Sequence, residues 1–333
     1  MPELRRDPVI GRWVIIASGR ASRPKDFEHA VPRTLDNDCP FCGGQEVQTP
    51  PETFALRPAE GRPDGPGWQV RVVSNKYPAL QIEGQLQRRG EGIYDKMNGI
   101  GAHEVVIESP DHHAELSDLS AEQIRQVLVA YRTRMQDLSG DRRFRYIQVF
   151  KNHGEAAGAT LAHPHTQLIA MPIVPRSILD ELSGCQQHYE LKERCIFCDI
   201  IHQELGEGRR IVAENENFVS LAPFAPRFAY ETWLLPKAHQ SSFERIPDEH
   251  LDGLARAMRE TLQRIHRLLE RPAYNFVIHT SPCNVGRGAQ PYHWHFEIMP
   301  KLTQVAGFEW GTGFYINPVA PEEAAAALRE IDL

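Results

Sequence analysis

The sequence predicts an α+β protein built as two tandem halves, each an antiparallel sheet with one segregated helix. Three observations carry this expectation. A Cys-x-Phe-Cys motif occurs twice, at Cys39-Pro-Phe-Cys42 and at Cys195-Ile-Phe-Cys198. A His-x-His opens an apolar strand twice, at His163-Pro-His165 and at His293-Trp-His295. Between the two motifs of each half lies one long amphipathic stretch among short runs rich in Val, Ile and aromatic residues. An ordered series of matches at one period is the mark of a duplicated unit. The halves are placed at 1–182 and 183–333, with the functional histidine in the first.

In the first half, the knuckle at Cys39–Cys42 precedes the strand-like Val70–Pro78 and then Glu104–His112. A helix is expected from Ser120 to Leu138. Leu119, Ile124, Leu128, Tyr131, Met135 and Leu138 follow the helical period, and Ser120 suits an N-cap. Tyr146–Phe150 reads as a strand, and the half closes on the strand that opens at His163. Ile178–Arg194 reads as a helix joining the halves. The second half repeats the order with Phe218–Pro226, Glu231–His239, a helix from Asp248 to Leu269, the strand Tyr274–His279 and the strand from His293 to Pro300. Glu104–His112 and Glu231–His239 have identical spacing, which selects His112 over its neighbour His113 as the partner of His239. Arg57–Gly67 and Gly206–Arg209, rich in Gly, Pro and Arg, read as surface loops.

Composition narrows the class. A chain of 333 residues, 41% hydrophobic and 24% charged, fits two ordinary soluble domains. Its apolar runs fall short of the ~20 residues that a membrane-spanning helix needs. The opening Met-Pro-Glu-Leu-Arg-Arg-Asp lacks the apolar core of a secretory signal, so a cytoplasmic protein is expected. A net charge of −7, without basic clusters among aromatics, argues against nucleic acid as partner and against a zinc-knuckle binding module. In a reduced compartment, paired cysteines in a chain with 15 histidines point to metal before disulfides.

Cys39, Cys42, His112 and His163 therefore form a candidate Cys₂His₂ zinc site. Four protein ligands leave no open position, so the metal would be structural. The repeat predicts a second site from Cys195, Cys198, His239 and His293. On a strand, residues 163 and 165 share a face, so His163 can hold metal while His165 stands two residues further along. The small-residue loop Gly154–Thr160 precedes it and allows backbone N–H groups to approach an anion. A neutral imidazole there is a competent nucleophile toward phosphorus.

These residues resemble a known family. His163-Pro-His165-Thr-Gln167 with Asn152 upstream, Asp7-Pro-Val-Ile-Gly-Arg-Trp with Arg20-Ala-Ser-Arg23, Ser109-Pro-Asp-His112 and Tyr292-His-Trp-His295 are similar to the galactose-1-phosphate uridylyltransferases of the histidine triad superfamily. The resemblance covers nearly the whole chain. It implies two histidine-triad-like halves, a homodimer, and a ping-pong reaction. In that reaction His165 takes UMP from UDP-glucose and passes it to galactose 1-phosphate, as in a UDP-glucose–hexose-1-phosphate uridylyltransferase. Gln167 would donate a hydrogen bond to the phosphoryl oxygen, and Arg20, Arg23, Asn75, Asn152, Gly158, Thr160 and Glu309 would bind substrate. The alternative on the same fold is an ADP-glucose phosphorylase or adenylyltransferase using the same His165. Uridylyltransferases of the better-known type carry a glutamine for the sugar phosphate near the C-terminus, and no glutamine follows Gln304 here. The resemblance offers two versions of the second metal site, zinc or iron. One is Cys195, Cys198, His239 and His293, which the cysteines favour; the other is Glu181, His279, His293 and His295. In the second half Glu297 stands where Gln167 stands in the first, so His295 is not expected to be a second nucleophile.

Overall fold

The structure, a computed structural model, describes residues 2–17, 39–284 and 291–333. Arg20 and Arg23 lie outside the described residues. In chain order the elements are β1 (Glu3–Arg6), β2 (Trp13–Ile16), β3 (Glu52–Leu56), β4 (Val70–Ser74), the ribbon β5 (Arg89–Glu91) and β6 (Tyr94–Lys96), β7 (Ala102–Ile107), α1 (Ala121–Ser139), β8 (Tyr146–His153) and β9 (His165–Met171). Then come α2 (Arg176–Lys192), α3 (Ile196–Glu207), β10 (Ile211–Glu214), β11 (Phe218–Leu221), β12 (Thr232–Pro236), α4 (Asp248–Leu268), β13 (Tyr274–His279), β14 (His295–Pro300), α5 (Gly307–Thr312), β15 (Tyr315–Asn317) and α6 (Pro321–Arg329).

Ten of these strands form one sheet in the order β10-β11-β12-β14-β13-β8-β9-β7-β4-β3. Every pair of neighbours in it is antiparallel. The order reads alike from both ends: β3, β4, β7, β9 and β8 answer β10, β11, β12, β14 and β13. The halves meet where β8 pairs with β13, Asn152 opposite Asn275. This is the α+β class that the sequence predicts, with the two small sheets joined edge to edge. The 182/183 division falls inside α2, the connector expected at 178–194.

One face of the sheet carries α1 and α4. Ser120 caps α1 as a capping box, its Oγ accepting from Gln123 N–H and Gln123 Oε1 accepting from the Ser120 N–H. Leu119, Ile124, Leu128, Tyr131, Met135 and Leu138 are all buried in a core that runs continuously across both halves and also contains Leu254, Leu262 and Ile265 of α4. The opposite face carries the two cysteine knuckles, each over its own smaller apolar cluster. Two expected strands end early. Val70–Pro78 stops at Ser74, because Asn75 Oδ1 accepts the Tyr77 N–H and turns the chain. Phe218–Pro226 stops at Leu221, two residues before Pro223. Among the described residues no helix is long and apolar enough to cross a membrane.

The strand register refines the repeat. Val105 lies opposite Gln167, and Trp233 lies opposite Glu297. Glu104 and Glu231 are therefore not equivalent, despite their identical spacing to His112 and His239. Glu104 faces the helices, where both carboxylate oxygens accept from Arg134 at 2.8 Å. Glu231 faces the other way, toward Arg227 and Trp233, and its counterpart by register is His103.

Candidate active site and metal centres

Each knuckle brings its predicted ligands together. Cys39, Cys42, His112 and His163 converge in the first half, and Cys195, Cys198, His239 and His293 in the second. Zinc at ordinary bond lengths in a tetrahedron sets sulfur and nitrogen about 3.6 Å apart. Cys42 Sγ lies 3.3 Å from His112 Nδ1 and 3.6 Å from His163 Nδ1. Cys198 Sγ lies 3.5 Å from His239 Nδ1 and 3.6 Å from His293 Nδ1. The far ring nitrogens are also matched: His163 Nε2–H donates to Ser109 O at 2.8 Å, and His293 Nε2–H to Pro236 O at 2.9 Å. Those bonds fix the tautomer that leaves Nδ1 unprotonated toward the sulfurs. Burial pushes the pKa of His163 down to about 4, keeping it in the neutral form a metal needs. Both sets fit a structural zinc, and all six cysteines are free of disulfides.

The phenylalanine of each Cys-x-Phe-Cys packs on its own His-x-His. Phe41 lies 5.3 Å from the His165 ring and 6.0 Å from that of His163, centroid to centroid. Phe197 lies 4.7 Å from His295 and 6.1 Å from His293. The second histidine of each motif is also held alike. His165 Nδ1–H donates to His163 O at 2.8 Å, and His295 Nδ1–H to His293 O at 3.0 Å. Each therefore presents an unprotonated Nε2.

What those nitrogens face differs. His165 lines a cavity of about 420 Å³ together with Phe41, Asn75, Tyr77, Val105, Thr160 and Gln167. Burial lowers its pKa, and the nearby Lys151 charge adds to this, so the imidazole is neutral at pH 7. Behind it, on the helix face, Lys151 Nζ donates to Glu108 at 2.7 Å and to His165 O at 3.1 Å. Thr166 and Tyr131 bond to the same Glu108, which makes a fully paired support for the strand carrying His165. Gly158, at φ +86°, turns the 154–160 loop beside Asn152.

His295, by contrast, is 0% exposed, and its Nε2 is buried without a hydrogen-bond partner among the described residues. It sits with Glu181, His279 and Glu297. The alternative metal set thus assembles differently from its expected form: His293 stays with the cysteines, and Glu297 completes the other group. Burial opposes ionisation of Glu297, but the Arg227 guanidinium and His279 outweigh it and hold its carboxyl at about 2. Glu181 and Glu297 likewise outweigh burial at His279 and hold it up at about 9.

Asn75, Thr160, His165 and Gln167 line one cavity. Asn152 lines a different, larger cavity of about 530 Å³ over the sheet centre. Continuing the β8–β9 register places Asn152 beside His165 all the same. Glu309 lines neither cavity; it closes the first turn of α5, accepting the Ala306 N–H. Sequence reasoning missed His103, Lys151 and Glu108. The signal for His103 was strand alternation, which puts it on the face of Val105 and Gln167. For Lys151 it was a lone lysine in an apolar strand.

A family model for the galactose-1-phosphate uridyl transferase N-terminal domain matches residues 1–175, and a domain of unknown function matches 101–330. An ADP-glucose phosphorylase of Arabidopsis thaliana is 40% identical over 339 residues, covering all of this chain and 93% of its own length. A galactose-1-phosphate uridylyltransferase of Thermotoga maritima is 31% identical over 342 residues, covering all of this chain and 99% of the relative. Among solved structures, an Arabidopsis thaliana ADP-glucose phosphorylase with bound ADP-glucose superposes with TM-score 0.86 at 39% identity, both chains fully covered. A uridylyltransferase superposes with TM-score 0.76 at 28% identity, covering 99% of this chain and 97% of that one.

Proposed function

Because this chain belongs to the galactose-1-phosphate uridylyltransferase family, we propose that it is a nucleotidyltransferase acting on ADP-glucose through a covalent nucleotidyl-His165 intermediate. Nε2 of His165 attacks the α-phosphorus; the P–N bond forms as the bond to glucose 1-phosphate breaks, its electron pair leaving on the phosphate oxygen. An oxygen of inorganic phosphate then attacks the same phosphorus, releases ADP and regenerates the imidazole. Gln167 donates to the nonbridging oxygen, where charge develops. Asn75, Thr160 and the Gly158 turn hold the nucleotide phosphates, with Arg20, Arg23 and Asn152.

The observation that carries the chemistry is the unprotonated Nε2 of His165, open to a cavity beside the Gln167 amide. Adenine over uracil rests on the 40% identity to an ADP-glucose phosphorylase along the whole chain. The lack of any glutamine after Gln304 favours the same branch. UDP-glucose with galactose 1-phosphate, the first choice on sequence grounds, becomes the second reading, favoured by the uridylyltransferase at 31%. Zinc, when bound, would tie each knuckle to its strand ends; this chain's own residues perform every step of transfer. A homodimer would account for Glu309, which lies between exposed Phe308 and Trp310 on α5 and lines neither of the two cavities described above. The protein would work in the cytoplasm, where cysteine ligands stay reduced.

Separate incubation with ADP-glucose and UDP-glucose, followed by intact mass measurement, tests the donor. A gain of one AMP from ADP-glucose alone is expected; a gain of UMP alone would establish the second reading.

A further inference from the structure

His103 lies on β7, outside every motif considered above, yet its ring meets two residues that line the cavity, Asn75 and Gln167. It sits opposite Ile169, one strand step from the Val105–Gln167 pair, and so is a diagonal cross-strand neighbour of Gln167 on the same face. Its two ring nitrogens have different partners. Nδ1 lies 3.1 Å from the backbone nitrogen of Ala79, whose N–H can only donate. Nδ1 is therefore the acceptor, and the neutral ring carries its hydrogen on Nε2. That Nε2 lies 2.8 Å from Gln167 Oε1.

An amide has two ends, and only one of them helps a phosphoryl anion. A glutamine beside His165 could turn its carbonyl oxygen to the phosphate, where it would repel, or its nitrogen, where it would donate. The Ala79 N–H settles the ring, and the ring settles the amide. We propose that His103 is a positioning residue for nucleotidyl transfer: its Nε2–H holds the carbonyl oxygen of Gln167, so the Gln167 N–H groups face the phosphoryl group at His165. This rests on the proposed reaction.

Asn75 joins the same arrangement. Its Oδ1 accepts the Tyr77 N–H at 2.8 Å, which turns its amide nitrogen to within 3.1 Å of the same ring nitrogen. The Asn75 amide nitrogen thus lies at the cavity wall beside Gln167, where its N–H groups can be offered to a phosphoryl oxygen.

The second half shows what replaces this device where no transfer takes place. By register Glu231 stands for His103 and Glu297 for Gln167. Both carboxylates are bound by the single guanidinium of Arg227. A neutral pair whose free ends are donors is exchanged for two anions fastened by a cation.

The test combines His103→Leu, which deletes the N–H, with His103→Gln, which restores a side-chain donor. In single-turnover adduct formation from ADP-glucose, His103→Leu should slow the step about ten- to a hundredfold, since an oriented donor to a developing oxyanion is worth about that or more. KM should change by less than about threefold, and His103→Gln should recover part of the rate. In a Gln167→Ala background the His103→Leu substitution should have little further effect, because its target is gone. A loss in KM alone, or an equal slowing with and without Gln167, would overturn the proposal. ¹⁵N NMR of the ligand-free protein reads the ring directly: an Nε2–H tautomer is expected at His103, and an Nδ1–H tautomer contradicts it. Failure of the parent protein to form any adduct would count against the proposed reaction, while the tautomer still decides the role of His103.

Discussion

The two halves hold the same imidazole in the same tautomer, but His165 looks into an open cavity and His295 into a closed group of carboxylates. Around each metal centre the halves agree closely: two cysteines, two histidines, the phenylalanine of the knuckle, and a carbonyl accepting from the far nitrogen. Around the second histidine they differ at a few positions. Val105 becomes Trp233, Gln167 becomes Glu297, and His103 becomes Glu231. Each change removes something a phosphoryl transfer needs: room, a neutral donor, and the group that aims it. A duplicated scaffold thus keeps its Cys₂His₂ frame intact while a few side chains on one face change what surrounds the second histidine.

The sharpest way to break this comparison is to remove each imidazole. His165→Gly should abolish exchange of label between glucose 1-phosphate and ADP-glucose, by at least about a thousandfold, as expected for a lost nucleophile. His295→Ala, measured alongside, should retain most of the exchange. Equal losses would mean that the halves share the reaction.

Metal analysis probes the side where the halves agree. The protein should carry two zinc ions per chain, with Cys42→Ser and Cys198→Ser each losing one. Structural zinc contributes on the order of 10 kcal/mol in small domains, so chelation should lower Tm by on the order of 10 °C. A variant that loses both ions at once, or neither, would end the equivalence of the two centres.

Exchanging one side chain between the halves sharpens it further. Val105→Trp, which copies the second half into the first, should raise KM for the nucleotide sugar about tenfold or more by overpacking the cavity. Zinc content should not change.

The smallest effect concerns the seam. On one side of the β8–β13 junction half-buried His153 and buried His266 lie beside Glu115, Ser117 and Arg271, with Asp118 and Lys151 near. On the other, Ser242 bonds Ser281, and Thr280 bonds Glu244. Burial lowers His153 to about 3 and His266 to about 4, from 6.5 in the unfolded chain. A depressed histidine stabilises fully above pH 6.5 and loses that contribution as pH falls toward 4. Glu115, raised by burial, works in the opposite direction at the acid end. A fall in Tm of a few degrees from pH 7 to pH 5 is expected, and His266→Gln should reduce it.

Much of this was legible in the sequence because the repeat supplied a check on itself. Cys39, Cys42, His112 and His163 are distant in the chain, and only the matching order of Cys195, Cys198, His239 and His293 singled them out. The long helices declared themselves by period and by the Ser120 cap. What escaped reading was register. Glu104 and Glu231 share a spacing but face opposite sides of the sheet, since a slip of one residue inverts a strand. The same slip hid His103, whose partner Gln167 is 64 residues away. The joining of the halves into one sheet also escaped, because the edges of β8 and β13 show no sequence mark of which neighbour they will take.

The most direct test of the central claim is to map the adduct itself. The protein is incubated with ADP-glucose, quenched, digested under conditions that preserve P–N bonds, and sequenced by mass spectrometry. One AMP per chain on the peptide containing His165, with the peptide containing His295 unmodified, is the predicted result. AMP on His295, or product formed with no labelled histidine at any time, would contradict it.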